Sequence, residues 1–227
     1  MLAVALLVLF QSKSDVQREQ LAEALGVQLV RIPSAGMYPT LKVDDTVWVD
    51  RRAYKESTPK IGDIVFFRPP REAIAPGHDP EMAKRVIFVS RCVGVAGDRV
   101  QIRDWALYRN GKKVNEPYVT LTRLAGKQFV NVTDPKAVES LDFKLVRWKG
   151  ELRPVVFSGR DGGTWTNMLA EPYRVNGADL LDRLIRLRAE PIPKGSILTM
   201  GDNRNQSFDG RFWGPLSVSR IIGRLSK

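Results

Sequence analysis

From Val27 onward, apolar and polar residues alternate in short runs rich in β-branched and aromatic side chains: VQLVRI (27–32), DTVWVD (45–50), DIVFF (63–67), VIFVSRCVGV (86–95), DRVQI (98–102) and ALYRN (106–110). Runs of this length, punctuated by Gly, Pro, Asn and Asp, predict strands, and the chain reads as mainly β. Asn110-Gly111 closes the last run with a hairpin-turn signal. Ahead of this region, residues 14–25 have a helical pattern: Ser14 or Asp15 as cap, Val16, Leu21, Ala22, Ala24 and Leu25 as apolar positions, and Gly26 as stop. Met1–Phe10 is an unbroken apolar run, half of the roughly 20 residues a membrane-crossing helix needs. It lacks the cationic start and small-residue cleavage site of a signal peptide, so a buried end and the remnant of an anchor both stay open.

Residues 121–190 differ in texture. Strand-like fragments LVRWKG and RPVVFSG are followed by a predicted helix over Ala178–Arg188, where Leu180, Leu184 and Leu187 share one face. Alternation resumes at SILTMGDN (196–203). The pattern predicts an apolar segment and helix over 1–26, a discontinuous antiparallel β core over 27–120 and 191–227, and an inserted α+β subdomain over 121–190.

Composition narrows the chemistry. Thirty-six Lys and Arg against 25 Asp and Glu leave a net charge of +11, which suits nucleic acid, anionic lipid or acidic partners without choosing among them. REQLAEALGV (18–27) resembles the first helix of a helix-turn-helix, but a strand-like run follows where a recognition helix belongs, so no nucleic acid is expected as partner. A single cysteine, Cys92, excludes an intramolecular disulfide, and a single histidine, His78 in a PGHDP loop, leaves no zinc cluster. Neither metal nor cofactor is expected.

Five segments carry the chemistry. PSAGMYPT (33–40) is a bent loop fixed by Pro33 and Pro39 with small residues between them. It is followed by GDIVFF (62–67), SRCVGVAGD (90–98), LYRNGKKVNEPY (107–118) and GDNRNQSFDGRFWG (201–214). In this order they resemble the motifs of type I signal peptidases, PSxSMxPT, GDIVVF, KRxVGxxGD, LYxNGKxVxEPY and GDNRxxSxDSRxxG. The resemblance implies a β core that binds a signal peptide or secretory precursor in extended form beside a strand edge, with Pro33, Met37 and Pro39 at the peptide site. It implies a serine nucleophile, a neutral lysine as base, and a helper serine contacting the oxyanion, matched here by Ser34. It also implies an anchor in the cytoplasmic membrane with the β core on the extracytoplasmic side, so that membrane lipids are partners and Met1–Phe10 is part of an anchor.

The chain departs from that pattern at both dyad positions. Gly36 stands at the nucleophile position and Ser90 at the base position. Glycine has no side chain, and a serine hydroxyl is no useful base near neutral pH. The resemblance therefore implies a serine-type endopeptidase scaffold that binds peptide without cleaving it, a pseudoenzyme. The alternative is an active enzyme with a relocated nucleophile such as Ser34. Lys84 imitates the missing lysine but stands six residues before Ser90, about 20 Å along an extended strand. Arg91, Asp98, Asp202, Arg204, Ser207, Asp209 and Arg211 match the family's structural support, with Ser207 at the position that contacts the lysine.

Overall fold

The computed structural model describes residues 15–73, 81–125, 128–134, 144–148, 151–157, 164–165 and 186–226. Met1–Phe10, Ser14 and His78 lie outside the described residues. Helix α1 (Asp15–Leu25) stops at Gly26, whose φ of 68° turns the chain and whose N–H bonds the Glu23 carbonyl at 2.9 Å. Arg52 Nη2 donates to the Ala24 carbonyl at 2.6 Å, so a guanidinium satisfies an acceptor that the helix end leaves open.

The strands follow the alternating runs. In chain order they are β1 (Val27–Arg31), β2 (Thr46–Asp50), β3 (Ile64–Phe67), β4 (Phe88–Val95), β5 (Arg99–Arg103), β6 (Ala106–Arg109), β7 (Lys112–Lys113), β8 (Thr122–Ala125) and β9 (Gln128–Asn131). They continue as β10 (Lys144–Trp148), β11 (Glu151–Phe157), β12 (Thr164–Trp165), β13 (Arg186–Pro191), β14 (Ser196–Met200), β15 (Leu216–Ser217) and β16 (Ile221–Leu225). One-turn helices α2 (Met82–Arg85) and α3 (Gly210–Trp213) interrupt them. Seven strands form the main sheet in the order β1-β2-β16-β3-β4-β14-β15, and β13-β5-β6-β7 form a second. The pairings in both are antiparallel, so the fold is mainly antiparallel β. Asn110 and Gly111 take φ values of 53° and 80° in the tight turn between β6 and β7, as the Asn-Gly signal predicts.

The β3–β4 register sorts the core. Paired residues share a face, so Ile64 and Arg91 lie on one side with Phe66 and Val89, while Val65 and Ser90 lie on the other with Phe67 and Phe88. The first face packs Ile64 and Phe66 with Ile32, Met37, Leu41 and Val49. The second gathers Val65, Phe67, Cys92, Ile197 and Leu216. A third cluster, including Val93, Ile102, Leu107, Leu198 and Met200, combines residues of both sheets.

The helix expected over 178–188 is corrected at its end. Arg186–Arg188 belong to β13, and Leu187 pairs with Ile102 and packs against the third cluster. The leucine spacing suits a helix, but pairing with β5 satisfies the backbone and buries Leu187 beside an existing apolar face; tertiary context overrides local periodicity. Residues 178–185 lie outside the described residues.

Candidate functional site

The PSAGMYPT loop leaves β1 and is pinned at its root, where Ile32 N–H bonds the Asp45 carbonyl and Asp44 N–H bonds the Ile32 carbonyl, both at 2.8 Å. Ser34 is extended, with φ −142° and ψ 162°, and Ala35–Met37 make a single 3-10 helical turn. Pro33 and Pro39 are exposed, and Ser34 and Gly36 are half-buried. Met37, expected at the peptide site, is 1% exposed and sits in the first core cluster. Its thioether anchors the loop from below, because burial there removes more apolar surface from water than an outward pose would.

Gly36 is the centre of this loop. Its carbonyl accepts the Asn203 N–H at 3.0 Å, and Asn203 Nδ2 donates to the Ala35 carbonyl at 3.1 Å. The loop therefore rests on the GDNR segment through two hydrogen bonds from one buried residue. A Cβ placed on Gly36 would lie 3.6 Å from Ser207 Oγ and 3.8 Å from the Gln206 carbonyl, which is ordinary contact. The position accepts a side chain sterically and has none. On the facing strand end, a Cβ on Gly201 would come within 2.4 Å of the Gly36 carbonyl and 2.2 Å of Ser207 Oγ. That glycine is what lets the two segments meet.

Three carboxylate–guanidinium pairs hold the surroundings. Arg91 grips Asp202 with two bonds, Nε to Oδ1 at 2.8 Å and Nη2 to Oδ2 at 2.6 Å, while Nη1 reaches the Gly62 carbonyl at 2.9 Å. Asp202 also accepts the Thr40 hydroxyl, tying the end of the PSAGMYPT loop to the same carboxylate. Arg211 pairs with Asp209 through Nε and Nη2, both at 2.8 Å, and Asp209 accepts the Gly201 N–H at 2.9 Å. Arg204 pairs with Glu116 at 3.0 and 2.6 Å. Such two-point pairs fix geometry as well as charge. Asp98, further away, braces its own turn by accepting the Val95 N–H and the Asn110 amide.

Ser90 lies in β4, 3% exposed, on the face of Val65 and opposite to that of its neighbour Arg91. Apolar side chains flank it: Phe88 and Cys92 along the strand, Val65 across. Burial pushes the Cys92 thiol up to about 12. Lys84, expected on an extended run, is instead in the one-turn helix α2, exposed and paired with Glu81 at 2.8 Å. The helical turn shortens its path, but its ammonium is solvated.

The structure adds residues that sequence reasoning left without a role. Thr40, Glu116, Tyr118 and Asn203 all make polar contacts to the loops around Gly36 or to the groups that hold them. All four lie inside the quoted motifs PSAGMYPT, LYRNGKKVNEPY and GDNRNQSFDGRFWG; the motif signal was there, but partners far apart in sequence were not. Among the described residues no His, Cys, Asp and Glu group could hold a metal ion.

A family model described as signal peptidase, peptidase S26, matches residues 20–227. The chain is similar to thylakoidal processing peptidase 1 of Arabidopsis thaliana, 29% identical over 195 residues that make up 85% of this chain and 39% of that protein. It is also similar to the probable signal peptidase I-1 of Synechocystis, 26% identical over 192 residues, covering 85% of this chain and 65% of that protein. Signal peptidase IB of Staphylococcus aureus is 27% identical over 195 residues, with 86% and 73% covered. A signal peptidase I crystal structure from Enterococcus faecalis aligns with 75% of this chain and 98% of that one at 19% identity and a TM-score of 0.36. The chain thus spans 39% of the plant relative's length and 65% of the cyanobacterial one.

Proposed function

The chain belongs to the signal peptidase family, peptidase S26, and on that premise we propose that it binds the extended end of a signal peptide without cleaving it. The observation that carries this reading is the seat of Gly36: a loop held by Asn203, with room for a side chain and no side chain present. Cleavage by this family's chemistry needs a nucleophile within about 3–3.5 Å of the scissile carbonyl and a base to take its proton. Gly36 supplies no nucleophile, and the buried hydroxyl of Ser90 supplies no base. Removing members of a catalytic unit leaves only the acceleration due to binding and oxyanion contacts.

What remains suits binding. Among the described residues β1 is one of the two edges of the main sheet, hydrogen-bonded to β2 on one side, and it runs directly into the exposed Pro33 and half-buried Ser34. An extended peptide can add to such an edge through its backbone, with small side chains against the loop. Arg91–Asp202, Arg204–Glu116 and Asp209–Arg211 keep that loop in place. The apolar surroundings of Ser90 would desolvate an amine, so the environment of a general base persists without the base.

The family is membrane-associated, and this chain's +11 charge with the apolar Met1–Phe10 supports attachment to anionic lipid; the placement of the β core on the extracytoplasmic side rests on the family likeness alone. No helix among the described residues is long and apolar enough to cross a membrane. Incubation with a labelled secretory precursor, alongside titration with a peptide ending in small residues, tests the reading. It is supported by binding without product. Product that disappears in Ser34→Ala would overturn it and point to Ser34, as a relocated nucleophile or as an oxyanion contact; its hydroxyl makes no cap hydrogen bond to the turn that follows.

A further inference from the structure

We propose that Glu116 is a positioning residue for the peptide site, acting with Tyr118 to set where the Gly201–Asn203 segment sits beneath Gly36. This role rests on the peptide-binding reading above and names a part of the site not otherwise assigned.

Two guanidiniums reach Gly201 and Asp202 from different sides, and both lead back to the same short stretch. Arg204, 1% exposed, donates from Nε to the Gly201 carbonyl at 3.0 Å, and its other two nitrogens are spent on Glu116. Arg91 holds Asp202, and its guanidinium lies 3.9 Å above the ring of Tyr118. The Tyr118 hydroxyl donates to Glu116 Oε1 at 2.9 Å, so the carboxylate also fixes the ring on which Arg91 stacks. Burial, and then Glu116, push the Tyr118 hydroxyl well above its usual range, so it remains a donor at any working pH.

The backbone follows the same route. Thr120 N–H bonds the Asp202 carbonyl and Arg204 N–H bonds the Thr120 carbonyl, both at 2.9 Å, so the chain just after Tyr118 runs beside Asp202–Arg204. Gly201 has no slack against Gly36, since even a methyl group there would overlap the Gly36 carbonyl. A small shift of Arg204 therefore moves the segment that donates to Gly36. The Glu116 side chain is 7% exposed, and water offers the Arg204 guanidinium little substitute for it.

Amide hydrogen exchange separates this role from general stabilisation. Asn203 N–H reports the seat of Gly36, and Ile192 N–H, bonded to the Asp98 carbonyl at 2.9 Å, reports the fold elsewhere. In Glu116→Gln, Asn203 should exchange at least 10-fold faster while Ile192 is unchanged, and the affinity for a small-residue signal peptide should fall by a similar factor. If that variant does not fold, the paired replacement Glu116→Leu with Arg204→Met removes both charges together and carries the test, with the same outcome expected. Equal acceleration of Asn203 and Ile192 would reduce Glu116 to a stabilising residue, and unchanged Asn203 exchange in a folded variant would overturn the proposal. Wild-type protein that binds no peptide would sink the binding reading alone, because the exchange measurement does not depend on it.

Discussion

The Asn203 amide donates to the Gly36 carbonyl at 3.0 Å, and its side chain holds the preceding Ala35 carbonyl at 3.1 Å. One buried asparagine thus supports the residue at the nucleophile position from two directions. Its neighbours give the two glycines at this contact opposite tolerances. Gly36 has ordinary space for a Cβ and a backbone open to any L-residue, whereas Gly201 is closed by Ser207 and the Gly36 carbonyl. Gly36→Ser should leave the thermal midpoint unchanged or raise it slightly, since restricting the unfolded chain contributes about 0.4–1 kcal/mol. Gly201→Ala should lower stability by about 1–3 kcal/mol through overpacking. Urea titrations of both variants check the contrast, and equal effects would mean that the two loops are not tightly seated against each other.

Arg91→Ala should be among the most damaging single changes. Asp202 is fully buried and Arg91 nearly so, and losing the guanidinium leaves a carboxylate without its charge partner. The expected loss is about 3–5 kcal/mol, measurable by chemical denaturation. A loss below 1 kcal/mol would show that water reaches Asp202.

Cys92 makes a pH prediction. Burial raises its thiol from 9.0 to about 12, so the folded state keeps the proton over a range in which the unfolded chain releases it. That contribution is complete below pH 9 and is lost as pH rises toward 12, at up to about 1.4 kcal/mol per pH unit. A thiol reagent should react with Cys92 at the rate of unfolding, and Cys92→Ala should flatten the alkaline decline in stability. Rapid labelling of native protein at pH 7 would contradict the burial.

Much of this fold is legible in the sequence because strand alternation and turn chemistry are local. VQLVRI, DTVWVD and DIVFF fall within a residue of β1, β2 and β3, and Asn110-Gly111 marks its turn. Arg186–Arg188 is not legible, since Leu187 satisfies a helical spacing as well as a strand, and only the β5 partner decides. Met37, read from its motif as part of the peptide site, sits in the first core cluster with partners such as Val49 and Phe66 that the motif does not contain. Glu116 and Arg204 stand 88 residues apart, and nothing local in either segment announces the other.

Membrane attachment is testable with liposomes. A ten-residue apolar run buries only part of a span, and each Lys or Arg near an anionic surface adds roughly 1 kcal/mol. Flotation should show salt-sensitive binding to anionic vesicles that weakens when residues 1–10 are deleted. Equal binding to neutral vesicles would mean that charge plays no part in attachment.

Binding without cleavage is measured by incubating the purified protein with a labelled secretory precursor and, in parallel, determining its affinity for the corresponding signal peptide. Peptide binding should be saturable and the precursor should stay full length, because Gly36 and Ser90 provide neither attack nor proton transfer. Cleavage at a small-residue site by the unmodified protein would contradict the proposed function.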